Sequence, residues 1–179
     1  KMEWIASRTA NFKFSPSTLY SILECGLKFY FTRIVRVPDA PSPAAAFGTA
    51  MHGAMHKWVD AWTKDKKWMS ESVLKAQFDM EMYKERHAFN EKQFKLRMQQ
   101  GHDVIPAYYQ ARKDEFKQYS LVQTEKMINA VIDGVNISGF LDKMVFDGNR
   151  VTVVDYKTGK PENSVKKAAP PGPRSAGKL

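Results

Sequence analysis

Three side chains in the C-terminal third have the types and spacing for hydrolytic chemistry: Asp142 in GFLDKMVF, and Asp155 and Lys157 in VTVVDYKTGK. Side chains alternate across a strand, so Val151, Val153, Asp155 and Lys157 share one face while Thr152, Val154 and Tyr156 share the other. A two-residue loop between the strands, either Asp147-Gly148 or Gly148-Asn149, pairs Asp142 with Val153 or with Asp155 respectively. Both registers keep Asp142 on the face of Asp155 and Lys157. A three-residue loop pairs it with Val154 and turns it away unless a bulge restores it. Two carboxylates and an ammonium on one surface suit a hard divalent cation, Mg2+ or Mn2+, which completes its shell with water and substrate phosphate. The lysine then orients or activates the attacking water and stabilises charge developing on a phosphate. The same groups also make an ordinary ion pair at a hairpin edge, worth little energetically, and spacing alone does not separate the two readings.

The elements that must hold these residues can be read from hydrophobic period. LVQTEKMINAVIDG, VNISGFLDKMVF and RVTVVDYK are rich in Val, Ile, Phe and Tyr and are separated by Asp133-Gly134 and Asp147-Gly148, which predicts an antiparallel meander. Helices precede it. Ser15 and Pro16 open one, with Leu19, Ile22, Leu23 and Tyr30 expected to pack inward. After the proline-rich VRVPDAPSPAA a second begins near Ala45, with the i, i+4 stripe Phe47, Met51, Met55, Trp58 and Trp62. A solvated helical arm follows from Lys64 to about Gly101, its thin stripe formed by Val73, Phe78 and Met82. Another helix is predicted over Val104 to Tyr119, with Pro106 in its first turn and Tyr109 and Phe116 facing the core. Helices first, then strands, is an α+β order.

Composition bounds the function. With 179 residues, 43% hydrophobic and eleven Phe, seven Tyr and four Trp, the chain supports one folded domain. Residues 161–179, which include AAPPGPRSAGKL, are expected to be a flexible tail or a shortened C-terminal segment. A net charge of +9 favours a polyanionic partner. The single cysteine, Cys25, rules out an internal disulfide framework and any four-cysteine metal site made by this chain alone. No apolar run reaches the roughly 20 residues that span a bilayer, and the start lacks the apolar core of a signal peptide. A reducing, cytoplasmic setting fits.

The ordered set of motifs resembles the RecB-type branch of the PD-(D/E)xK nuclease superfamily. GFLDKMVF and VTVVDYKTGK are similar to its G-x-x-D and D-Y-K-T-G strands, GTAMH (Gly48 to His52) to its G-x-x-x-H helix, and SPSTLYSILECGLKFYF to its opening helix. The resemblance implies a restriction-endonuclease-like core over residues 1–160, with a central mixed sheet flanked by helices and a helical insertion over about 64–120. It implies that His52, Asp142, Asp155 and Lys157 form the active site. The histidine and both aspartates would hold Mg2+ or Mn2+, the backbone carbonyl of Tyr156 would be available as a further ligand, and Lys157 would serve the water and the scissile phosphate. Glu125 ranks below these four, since a solvent-facing strand residue explains it equally well. Two departures stand out. The branch commonly carries a Q-x-x-x-Y helix after the D-Y-K-T-G strand, and neither glutamine nor tyrosine follows Lys160. Cys25 matches the first cysteine of relatives that bind an iron–sulfur cluster, but its partners are missing, so no cluster is expected; Gly26 in place of the usual proline alters the helix end and not the chemistry.

Other signals weigh less. His52 and His56 lie one helical turn apart, but Gly53 stands where a zinc protease needs a glutamate, and His56 is expected to be a packed or surface residue. Lys64, Lys66, Lys67, Lys92, Lys95 and Arg97 suit either a DNA path or a solvated helix face. The sequence therefore predicts a metal-dependent deoxyribonuclease, by resemblance an exonuclease acting on DNA ends or single strands in recombination or repair, without sequence specificity. Its rival is a catalytically silent DNA-binding or accessory module of a larger repair or helicase complex.

Overall fold

Short polar caps set where the helices begin. A computed structural model describes residues 2–9 and 12–159; the expected tail over 161–179 lies outside the described residues. α1 (Met2–Thr9) is followed by α2 (Pro16–Glu24), where the Ser15 side chain accepts the Thr18 N–H. The short α3 (Gly26–Phe29) runs into a π-helical turn, Tyr30–Val35. Ser42 caps α4 (Pro43–Asp65), and Ser70 caps α5 (Glu71–Lys84). Asn90 and Gln93 cap α6 (Glu91–Arg112) reciprocally, satisfying two otherwise unpaired N–H groups.

That capping box corrects one expectation. The helix predicted to open at Val104 already runs from Glu91, so Pro106 lies in its interior, and Glu115–Gln118 forms a separate 3-10 turn. Two further corrections concern facing. On α5 the buried row is Leu74, Phe78 and Met82, at intervals of four, while Val73 is exposed. On α2 Thr18 is the buried residue, whereas Ile22 is exposed and Leu23 is 78% exposed. That helix meets the sheet through its first turn, where Pro16 lies against Gly139.

The predicted stripe of α4 forms the centre of the core. Phe47, Met51, Met55 and Trp58 are buried with Leu74, Phe78, Ile105 and Phe116, and Trp62 packs against them. α5 and α6 approach so closely that a Cβ on Gly101 would lie 2.2 Å from Phe78 Cζ.

The sheet is β1 (Leu121–Ile132), β2 (Val135–Phe146) and β3 (Val151–Val154), antiparallel in that order. Asp133 and Gly134 both have positive φ, 49° and 78°, as a two-residue hairpin turn requires. An isolated parallel bridge joins Phe14 to Ile137, outside the three antiparallel strands. The α+β class is as the sequence predicted. Among the described residues no helix is long and apolar enough to cross a membrane.

Candidate active site

The second turn decides the register left open by the sequence. Asp147 N–H donates to Arg150 O at 3.3 Å, so the loop is Gly148-Asn149, with Gly148 at φ 103°. The Asp147 carboxylate accepts the N–H groups of Asn149 and Arg150, which hold it below the usual carboxylate range. Lys143 pairs with Val154, which carries Asp142 to the position opposite Asp155, just beyond the end of β3. Asp142 and Asp155 thus fall on one face by parity.

Two groups of functional side chains result. In the first, Asp142 Oδ2 accepts the Tyr156 N–H at 2.6 Å and Oδ1 lies 3.5 Å from His52 Nδ1. The Asp142 side chain is only 15% exposed. The His52 and Tyr156 rings meet edge to face with centroids 5.7 Å apart. α4 comes close enough there that a Cβ on Gly48 would sit 3.4 Å from Thr158 Oγ1, so the GTAMH and DYKTG segments touch. In the second group, Lys157 Nζ and Asp155 Oδ2 form an ion pair at 2.5 Å, with side chains 57% and 58% exposed.

Among the described residues no three His, Cys, Asp or Glu side chains already converge on a metal position. The donor chemistry nonetheless suits a hard divalent ion. One oxygen of Asp142 is fixed by a main-chain N–H while the other faces an imidazole nitrogen, and the second carboxylate is tied up only by an exposed lysine. A site using both aspartates needs Asp155 to release Lys157.

Glu125 stands opposite Asp142 in the β1–β2 register, between the Thr124–Lys143 and Lys126–Leu141 pairs. Its φ is 49°, a left-handed conformation that costs a non-glycine residue about 1–3 kcal/mol. His56 Nδ1 is buried, with no hydrogen-bond partner among the described residues. The lysine run is largely engaged locally. Lys64 pairs with Asp60, Lys95 with Glu91, Lys66 lies over Trp62 and Arg97 over Phe47.

A cavity of about 550 Å³ adjoins the site, bordered by His52, Asp155, Tyr156 and Lys157 on one side and by Phe47, Met51 and Tyr108 on another. Lys143, Arg112 and Glu115 also line it; the sequence reading missed all three, and Tyr108 with them. Lys143 is 2% exposed, and burial pulls its ammonium below the ordinary lysine range. Burial pushes the Tyr108 and Tyr156 hydroxyls up. The signal for Lys143 was present in strand parity, since it shares the inward face with Val145, but a lysine in a strand reads as surface.

Compared with known families, residues 13–173 match the PD-(D/E)XK nuclease superfamily. No curated protein and no solved structure matches the chain with significance.

Proposed function

Because this chain belongs to the PD-(D/E)XK nuclease superfamily, we propose that it is a Mg2+- or Mn2+-dependent deoxyribonuclease of the RecB type. In this reading it is an exonuclease that hydrolyses phosphodiester bonds at DNA ends or in single strands during recombination or repair. The observation that carries the reading is the placement of Asp142 against the Tyr156 N–H and His52 on the strand beside the Asp155–Lys157 pair.

Asp142, Asp155 and His52 would hold the ion, with the Tyr156 carbonyl as a further ligand, and the ion would supply Lewis-acid polarisation of the phosphate. The chain's own residues do the rest. The Tyr156 N–H fixes one oxygen of Asp142 and so aims the other at His52. Lys157, once released from Asp155, donates an N–H to a phosphate oxygen as negative charge builds there. A net charge of +9 gives the chain a general attraction for the polyanion.

The test compares linear and circular single-stranded DNA of one sequence in Mg2+. An exonuclease degrades the linear form to short products and leaves circles intact. Nicked or fragmented circles would replace the exonuclease assignment with an endonuclease.

A further inference from the structure

The buried Lys143 ammonium faces aromatic rings and, among the described residues, no carboxylate at ion-pair distance. It lies 4.6 Å from the Phe116 ring centroid and 5.8 Å from that of Tyr156. Glu115, which favours the charged lysine from beyond ion-pair distance, is itself paired with Arg112 at 2.8 Å. Ring faces offset part of the desolvation of a buried ammonium. They are poor acceptors for three N–H donors, so the lysine has hydrogen-bonding capacity left for whatever enters the cavity it lines.

The remaining wall says what that is. Phe47, Met51, Met55 and Tyr108 present apolar and aromatic surface, which is unfavourable for a bare phosphate and suited to a flat ring. The volume, about 550 Å³, lies within the range of small-molecule sites. A nucleobase combines a π face for the aromatic wall with acceptors on its edge for a buried ammonium. Every base carries such an acceptor, and a lysine can rotate its donors to meet it. His52, Asp155 and Lys157 border the same cavity, so a base seated there belongs to a nucleotide next to the phosphate under attack.

We propose that this cavity receives the unpaired base of the nucleotide adjoining the scissile phosphate, with Lys143 donating a hydrogen bond to the base edge. The proposal rests on the nuclease reading and adds a base-binding subsite that accounts for its preference for ends and single strands. A base stacked in a duplex must first be extruded, so single strands and frayed ends are cut and intact internal duplex is not.

The test uses single-stranded oligonucleotides carrying one abasic residue at successive positions. Binding is measured by fluorescence anisotropy in EDTA and cleavage is measured in Mg2+, for the wild type, Lys143→Met and Val104→Trp. The methionine is unbranched and flexible like the lysine, one atom shorter, and drops its charge. Were Lys143 only structural, that change would leave stability equal or higher and substrate handling unchanged. Val104 lines the cavity and is substantially exposed, so its tryptophan fills the space without burdening the core.

In the wild type, an abasic residue at one position weakens binding roughly tenfold, the scale of losing one base–aromatic contact. In both variants that position-specific penalty falls severalfold. Binding indifferent to the abasic residue at every position, or an equal penalty in wild type and both variants, overturns the pocket. Metal- and Lys157-dependent cleavage with no abasic penalty would sink the pocket and leave the nuclease reading standing. The penalty without any cleavage would do the reverse.

Discussion

Asp155 has two partners to choose between. In the structure it holds Lys157 in an exposed ion pair, a kind of contact worth about 0–1 kcal/mol, so exchange of the lysine for a divalent ion meets little resistance. Asp142 differs: it is mostly buried and fixed by the Tyr156 N–H and His52. Asp155→Ala and Lys157→Ala therefore leave stability within about 0.5 kcal/mol of wild type and DNA binding largely intact, while the cleavage rate falls about 10²–10³-fold or more. Thermal denaturation, anisotropy and single-turnover digestion check the three parts. Wild-type cleavage by Asp155→Ala would show that the acid was misassigned. At this scale the sequence was informative where alternation alone decides. It placed Asp155 and Lys157 on one face and offered their ion pair as one outcome, but it left the face of Asp142 to the loop length and did not show that Lys143 lines a cavity, because that depends on what the helices bring over the sheet.

Helix contacts carry the site. α4 holds His52, and α5 and α6 brace α4 from behind. Gly101 lies against Phe78, and the methyl of Gly101→Ala would have to enter the ring. This substitution gains helix propensity, about 0.5–1 kcal/mol, but the clash dominates, and a net loss of about 1–3 kcal/mol is expected in urea denaturation. Glu81 links α4 to α5 through Lys57 and also bonds Lys84 on its own helix. Burial opposes its ionisation, yet the hydrogen bonds from the two lysines outweigh burial and hold the carboxyl below the usual glutamate range. A lowered folded-state value means that the stabilisation is complete above the unfolded value, about 4.3, and is lost as pH falls through the folded one. The stability of wild type relative to Glu81→Gln should thus shrink between pH 6 and pH 3, measured by denaturant melts; a constant difference would mean that Glu81 acts by packing. The α4 stripe was legible because it recurs at intervals of three or four residues. The start of α6 was not, because Pro106 matched a first-turn signal more visibly than the Asn90–Gln93 box that sets the boundary.

For the molecule as a whole, helices followed by a three-stranded meander were legible because the hydrophobic period changes from helical to alternating near residue 120. Side-chain pairing of the basic residues was not. Lys64 and Lys95 meet carboxylates on their own helices, so the net charge of +9 is a general attraction for polyanions and not a mapped path for DNA. The central claim is metal-assisted hydrolysis by Asp142, Asp155, His52 and Lys157. Its most direct test is digestion of end-labelled single-stranded and duplex DNA with Mg2+, Mn2+ or EDTA, with Lys157→Ala and Asp142→Ala alongside. The account predicts products with either metal, none in EDTA, and none above background from either variant. Cleavage that persists in EDTA or in Lys157→Ala would contradict it, and binding without cleavage in both metals would identify a DNA-binding module that keeps the fold.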